Sequence, residues 1–215
     1  MFKVIIKKDV FNKIKNEDSF INAIVLSRIV NCLRSNQRCF IRTWEDDEIT
    51  GIKDRFDLML FHGAMLYDAI KSFKKLSSQL RNLDTYKKFE NEIKIINKQF
   101  GDGKSFRNTI LDLIRNKLMF HFDSSFVKET ISTFDRKDEI IFAQGKTGTH
   151  KDFIFLLPED IAANYIIDNV NIKGSPEDRF DFYHEEINKI SKLFCNIVEN
   201  LIYELIKDIC IFIKE

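Results

Sequence analysis

The sequence predicts a single all-α domain that spans residues 1–215. Only 7 Gly and 2 Pro occur, so the chain contains few residues that break a helix. Apolar residues recur at helical spacing over several long stretches. Hydrophobic residues make up 44% and charged residues 31% of the chain, which is typical of a globular protein that buries a core. A bundle of helices around one core agrees with all three observations.

The first half of the chain contains four predicted helices. The second of them begins near Asp18 or Ser19, either of which can cap a helix. An acidic stretch without periodicity at 43–48 predicts a loop, and the Gly-Asp-Gly sequence at 101–103 predicts the end of the fourth helix. The apolar stripe of the second helix consists of Phe20, Ala23, Ile24, Ile29, Val30 and Leu33. The predicted helices span about 7–15, 19–41, 52–80 and 84–100.

The second half of the chain combines helices with a short β-hairpin. Two β-rich runs at 139–143 and 152–156 are separated by a Gly-containing turn, which predicts a hairpin inserted at about 139–157. Pro158 predicts the start of the helix that follows, since Pro is favoured at a first helical position. The predicted helices of this half span about 105–122, 126–134, 158–168 and 177–213. The inward stripe of the first of them consists of Ile110, Leu111, Ile114, Leu118 and Phe122.

Cysteine usage and hydropathy indicate a cytoplasmic protein with no membrane partner. No two of the 4 cysteines form a CxxC pair, so we expect free thiols in a reducing compartment rather than a disulfide or a metal site. Charged residues interrupt the N-terminal apolar residues, unlike a signal peptide. The apolar run from Leu193 to Ile213 contains four charged residues, which predict a buried core helix and not a membrane span.

The positive charge of the chain is concentrated in one segment. The formal net charge is +1, which argues against a protein that coats nucleic acid. Between Lys71 and Arg107, however, ten Lys or Arg stand against four Asp or Glu, a local charge of +6. Such a segment can contact phosphates, with Lys87 and Lys88 as candidate RNA-binding residues. The alternative is a solvated helix face that is rich in lysine.

Two familiar site patterns are excluded by their spacing. Gly145-Lys146-Thr147 resembles the end of a P-loop, but position 140 is Ile instead of the required Gly. A strand and not a helix is predicted to follow, so no helix N-terminus would hold the phosphates. The 4 histidines are scattered, and no His pair stands at i, i+4 with a Glu as zinc sites require. We therefore predict no metal site and no cofactor.

One short motif distinguishes this chain. The sequence IRNKLMFHFD at Ile114–Asp123 places Arg115, Asn116 and His121 late in an amphipathic helix, with five residues between Arg and His. It resembles the Arg-x(4–6)-His signature of the HEPN superfamily, the higher eukaryote and prokaryote nucleotide-binding domains. The overall plan is similar too: a helical bundle with the motif on an internal helix, then a short elaboration and a closing helix.

The resemblance implies a metal-independent endoribonuclease that uses the ribose 2′-hydroxyl as an internal nucleophile. Such a reaction needs an acid or base with a pKa near neutrality, and His121 would supply it. Arg115 would stabilise charge on the phosphate oxygens, and Asn116 would position Arg115 or the substrate. Lys117, beside them, is a third candidate RNA-binding residue. The setting implied is bacterial defence or a toxin–antitoxin system, with RNA as substrate and an antitoxin protein as a candidate partner.

The spacing of the motif predicts a homodimer. In a regular helix, Arg115 and His121 lie about 120° apart around the axis and about 9 Å apart along it. They flank one face without touching. Two copies of the helix packed antiparallel would build a compact site, and in the HEPN superfamily the motif faces a dimer interface.

Two interpretations other than a ribonuclease remain open. In the first, Arg115 pairs with Asp112 or caps the helix, while His121 is a cation favoured by the helix dipole. The chain would then be a non-catalytic interaction or regulatory module with the HEPN-like fold. A third option is nucleotide binding within the bundle without hydrolysis.

Overall fold

Helices dominate the part of the chain that the structure describes, a computed structural model covering residues 2–43, 48–101, 111, 114–115, 124–133, 143–144, 154–169 and 173–214. Within these residues we number eight helices and four strands in chain order. The helices are α1 Lys8–Ile14, α2 Asp18–Arg42, α3 Glu48–Leu80, α4 Asp84–Lys88, α5 Glu90–Gly101, α6 Ser124–Thr133, α7 Leu156–Asn169 and α8 Pro176–Ile206. The strands are β1 Phe2–Ile5, β2 Ala143–Gln144, β3 Ile154–Phe155 and β4 Ile211–Lys214. The prediction of a mostly helical chain is confirmed.

Three long helices, α2, α3 and α8, form the centre of the bundle. The side-chain amide of Asn22 near the start of α2 donates to Gln79 near the end of α3 at 2.8 Å, so these two helices run antiparallel. As α2 advances from Arg34 to Gln37 to Phe40, its partners on α8 move back from Glu199 to Ser191 to His184, so α8 is also antiparallel to α2. Between the three helices lies the core, whose fully buried side chains include Leu26, Leu33, Leu66, Ile70, Phe73, Phe194 and Ile197. None of the described helices is long and apolar enough to cross a membrane.

The core face of α2 is rotated slightly from its predicted position. Ile24 was predicted inside but is 53% exposed, whereas Leu26 is 0% exposed. Because α2 packs against both α3 and α8, the buried face is wider than one stripe and turns toward the seam between its two neighbours.

The two terminal segments of the described chain pair with each other, which the sequence did not predict. Strand β1 lies antiparallel to β4, with Phe2 opposite Lys214 and Ile5 opposite Ile211. The prediction that the last helix continues to Ile213 is therefore wrong, because α8 ends at Ile206 and a turn leads into β4. Periodicity along the chain could not show this pairing, since the hydrogen-bond partners lie at opposite ends of the sequence.

Other helices and strands also begin or end at residues that differ from the predicted ones. The helix predicted at 84–100 is divided at Phe89, whose backbone leaves the helical region (φ −99°, ψ 18°). Helix α7 begins at Leu156, two residues before Pro158. Strands β2 and β3 pair antiparallel within the stretch where the hairpin was predicted, and the turn at 145–153 lies outside the described residues.

The start of α8 is fixed by its own sequence. Ser175 Oγ accepts a hydrogen bond from the backbone N–H of Asp178 at 3.1 Å, and Asp178 accepts one from the backbone N–H of Ser175 at 2.9 Å. This reciprocal capping satisfies two N–H groups that the first turn leaves without helical partners. Gly174, at φ +144°, provides the left-handed approach to this turn. Helix α8 therefore begins at a defined residue.

Candidate functional site

The motif segment, which is the stretch predicted as a helix at 105–122, is anchored in the bundle by apolar residues that precede Arg115. Leu111 and Ile114, both predicted to face inward, are buried. Gly63 of α3 permits the close approach, because a Cβ there would lie 3.0 Å from Tyr183 Oη and 3.3 Å from Leu111 Cδ2. Leu111 is therefore held between α3 and α8, and Arg115 follows one turn later.

Arg115 lies at the edge of this anchored segment in a wide, π-helical turn shared with Ile114. Turns of this kind occur mostly as single bulges inside α-helices and often at functional sites. The backbone from 116 to 121 lies outside the described residues, so the offset of about 120° between Arg115 and His121 stays a prediction from regular helix geometry.

The carboxylate that pairs with Arg115 comes from α3. Asp68 Oδ1 lies 3.3 Å from Arg115 Nε, and the two side chains are 47% and 34% exposed. Asp112, the partner considered from the sequence, lies outside the described residues. No sequence signal identifies Asp68, because it stands 47 positions before Arg115 and only the packing of two helices brings them together.

Three of the predicted site residues have no structural description here. Asn116, Lys117 and His121 lie outside the described residues. The predicted RNA-binding residues Lys87 and Lys88 are described, and both are exposed on α4. Lys87 Nζ lies 3.5 Å from Asp84 Oδ1, and Lys88 Nζ lies 5.6 Å from the centre of the Phe89 ring.

A basic cleft accompanies these lysines. Arg81, Lys87 and Lys94 line a cavity of about 340 Å³ between the end of α3, α4 and α5. Its one lining carboxylate, Glu90, is paired with Lys94 at 2.9 Å. Asn97 Oδ1 also lines the cleft and is buried with no hydrogen-bond partner in the described structure. Three of the ten cations in the basic segment thus line a concave surface.

A chain of buried polar groups connects the three central helices. Gln37 Nε2 donates to Ser191 Oγ at 3.3 Å, Ser191 Oγ lies 2.9 Å from His62 Nε2, and His62 Nδ1 lies 3.0 Å from Asn36 Oδ1. Because Asn36 Oδ1 can only accept, Nδ1 carries the His62 hydrogen and Nε2 accepts from the Ser191 hydroxyl. Every group in the chain then has one consistent role, with His62 neutral.

This arrangement has the connectivity of a nucleophile, a base and an orienting group, but not the properties of a catalytic site. Ser191 is 0% exposed, so no substrate can reach its hydroxyl. Burial, with a smaller effect from the charge of His184, lowers the pKa of His62 to about 4, which makes it a weak base at neutral pH. We interpret the chain as a structural network that fixes the register of α2, α3 and α8.

Metal ligands are not clustered in the described part of the chain, where no three His, Cys, Asp or Glu side chains come together. The 4 cysteines are free thiols. Burial raises the pKa of Cys195, which keeps its thiol protonated at neutral pH. The Gly145-Lys146-Thr147 sequence lies outside the described residues.

Comparison of the chain with protein-family models, with curated proteins and with solved structures found no match.

Proposed function

We propose that this chain is an HEPN-like helical-bundle protein, elaborated by a hairpin at about 139–157, that cleaves RNA without a metal ion. In this proposal it acts as a homodimer in a bacterial defence or toxin–antitoxin system. The observation that carries the proposal is the position of Arg115: it follows buried residues, is held by Asp68 and remains one-third exposed.

A phosphate-stabilising arginine must be both oriented and accessible. The carboxylate of Asp68 lies 3.3 Å from Nε and draws that side of the planar guanidinium toward α3 as an ion pair, outside hydrogen-bond geometry. A guanidinium in a fixed orientation presents its remaining N–H donors as a fork, which matches two phosphate oxygens. Since it is already positioned, it reorganises little when negative charge develops in the transition state.

His121 and Asn116 complete the proposed site. His121 would transfer the proton between the 2′-hydroxyl, the phosphate and the leaving oxygen, and Asn116 would orient Arg115 or the scissile phosphate. In the homodimer, each site takes Arg115 from one copy and His121 from the other. The basic cleft near Lys87 would bind the flanking RNA backbone.

The direct test is cleavage of total RNA by purified wild type, freed of any bound partner, in excess EDTA. His121→Ala and Arg115→Ala should each lower the rate by about 10²–10⁴-fold, the usual contribution of an acid–base group or an oxyanion donor. Arg28→Ala, an exposed arginine on α2, is the matched control and should cleave as wild type does. Circular dichroism checks that each variant is folded.

Asp68 serves as a positioning residue in this scheme, and its variant separates positioning from simple stabilisation. Asp68→Asn should lower kcat with little change in KM, because RNA binding depends on other cations, and Asp68→Glu should recover part of the loss. If wild type cleaves no RNA in EDTA, or if His121→Ala cleaves as fast as wild type, the proposed site is wrong.

A non-catalytic interaction module is the second candidate, and the same ion pair favours it. Asp68 balances the charge of Arg115 and joins α3 to the motif segment, which is what a purely structural pair would do. In that case Arg115→Ala would lower the melting temperature and leave RNA untouched.

A further inference from the structure

Two adjoining clefts lie between α2 and α8, away from the residues assigned to RNA cleavage. The deeper has a volume of about 270 Å³ and reaches down to His62. The second has a volume of about 520 Å³ and runs along the surface toward Arg34 and Glu199. Gln37, Ile41 and Lys192 line both, so the two clefts share a boundary.

Positive charge dominates the boundary between the clefts. Lys192 lines both clefts, Arg38 lines the second, and neither forms an ion pair with the residues that the structure describes. The one carboxylate among the lining residues belongs to Glu199, which is already paired with Arg34. The deeper cleft is lined by no carboxylate. An anion at the boundary would therefore meet two cations, and the one lining carboxylate is already neutralised by Arg34.

The deeper cleft offers flat and apolar walls. The rings of Phe40 and His184 are stacked with their centres 5.6 Å apart and their planes at 29°. Met59 and Ile187 contribute apolar surface. The amide of Asn188 lies beside them, 2.9 Å from His184 Nε2, and supplies a polar group at the cleft wall. Aromatic and apolar walls combined with polar groups at defined positions are typical of small-molecule sites.

We propose that the α2–α8 cleft binds a small organic anion, with one planar ring system in the deeper cleft and a carboxylate or phosphate group between Lys192 and Arg38. The volume of about 270 Å³ lies just below the usual range of roughly 300–1,000 Å³ for ligand pockets, which limits the buried part to one ring system. The site shares no residue with the proposed RNA-cleaving site, so it stands or falls independently of that function.

The site also has a defined link to the core. Its floor includes His62 and Asn36, which belong to the buried network that joins α2, α3 and α8. A ring that packs against this floor would stabilise the three helices in their present register, because a ligand that binds only the folded chain raises its stability.

Isothermal titration calorimetry on the purified chain tests the proposal with two anions, adenosine 5′-monophosphate and indole-3-acetate. The neutral counterparts adenosine and indole, and inorganic phosphate, are titrated for comparison. At least one anion should bind with a Kd below about 1 mM, and its neutral counterpart about tenfold or more weakly, since charge-assisted contacts are lost. Which anion binds distinguishes a phosphate from a carboxylate ligand.

Three variants locate the binding. Lys192→Gln and Arg38→Gln should each weaken binding of the preferred anion about tenfold. Lys189→Gln is the matched control, because this exposed lysine is one turn away on α8 and lines neither cleft. Phe40→Leu should weaken binding of the ring and leave the advantage of the anion over its neutral counterpart unchanged.

Four results would overturn the proposal. They are no heat of binding for either anion at millimolar concentration, equal affinity for inorganic phosphate and the ring-bearing anion, equal affinity for the anion and its neutral counterpart, or unchanged affinity in Lys192→Gln.

Discussion

The neutral state of His62 is set by the two groups that contact its nitrogens. Asn36 accepts from one nitrogen and Ser191 donates to the other, so a second proton on the ring would have to displace the Ser191 hydroxyl hydrogen. The side chain is 5% exposed, which leaves little water to stabilise an imidazolium. A buried histidine of this kind makes the bundle sensitive to acid.

His62 should therefore weaken the fold as the pH falls. Its pKa is about 4 in the folded chain against 6.5 in the unfolded chain, so the unfolded chain binds more protons between these values. Above pH 6.5, His62 is neutral in both states and does not reduce the free energy of unfolding. Between pH 6.5 and about pH 4 the unfolded chain gains the proton first, and the free energy of unfolding falls by about 3 kcal/mol in total.

Urea denaturation at several pH values between 7 and 4 measures this effect. The carboxylates of the chain titrate in part of the same range, so the informative quantity is the difference between wild type and His62→Gln, which cannot take up the proton. This difference should shrink as the pH falls. His184→Gln, at a partly exposed histidine, should retain most of this pH dependence, because burial is the larger cause of the lowered pKa of His62 and the charge of His184 the smaller one. Parallel curves for wild type and His62→Gln would contradict the assignment.

At the scale of elements, α4 depends on a residue far along the sequence. Its five residues are too few for a stable isolated helix. The carboxylate of Glu204 on α8 accepts from the backbone N–H groups of Asp84 at 2.9 Å and Thr85 at 2.7 Å. The side chain of Glu204 thus caps the N-terminus of α4, where the residue before the helix, Leu83, provides no side-chain hydrogen bond.

Glu204→Ala should lower the free energy of unfolding by about 1–2 kcal/mol, as the loss of a helix cap does. Burial alone raises the pKa of Glu204, but hydrogen bonds from Thr85 and Asp84 outweigh it and bring the pKa below the ordinary 4.5. The stabilisation is therefore present above pH 4.5 and is lost as the pH falls through the lowered pKa. Glu185→Ala, at an exposed glutamate on the same helix, should change stability by less than about 0.5 kcal/mol in thermal denaturation.

The lysines of α4 give a second prediction at this scale. Lys87→Glu combined with Lys88→Glu should weaken RNA binding and reduce the slope of log K against log salt, because about two phosphate contacts are lost. The measurement is fluorescence anisotropy with a labelled single-stranded RNA at several salt concentrations, using a His121→Ala background to prevent cleavage.

Lys7→Glu combined with Lys8→Glu is the control, because it makes the same charge change at another exposed lysine pair. Equal losses in the two double variants would show that only net charge matters and would remove the basic cleft from the proposed RNA path.

At the scale of the molecule, the central question is whether two copies share a site. The motif segment is anchored from below by Leu111 and Ile114, and Arg115 remains accessible at its edge. In a two-fold symmetric dimer the same surface of each copy meets its equivalent, so two motif segments would face each other. If the helix is regular from Arg115 to His121, the predicted spacing of the two side chains favours such a composite site over one within a single chain.

Mixing inactive variants tests this arrangement. Arg115→Ala and His121→Ala proteins, unfolded together and refolded at equal concentration, should regain about a quarter of the wild-type number of sites, because each mixed dimer rebuilds one intact pair. Each variant refolded alone remains inactive. Light scattering at tens of micromolar should give the mass of a dimer; a monomer, or no regained cleavage in the mixture, would exclude the composite site.

The sequence by itself determined the helical class and most helix positions. Helical spacing of apolar residues located α1, α2 and α3 to within a few residues, since the burial of one helix face is a local and periodic requirement. Composition located the basic segment, and a ten-residue resemblance identified Arg115 as a residue to examine. Leu111 and Ile114 were correctly assigned to the core by the same periodicity.

Only the tertiary structure decided which distant residues meet. The pairing of β1 with β4, the capping of α4 by Glu204 and the contact of Asp68 with Arg115 each join residues that are far apart in sequence. Periodicity records which side of an element is apolar, and it carries no information about the element that will cover that side. The partner of a charged or polar group is fixed by packing of the whole chain, so it becomes visible only when the helices are in place.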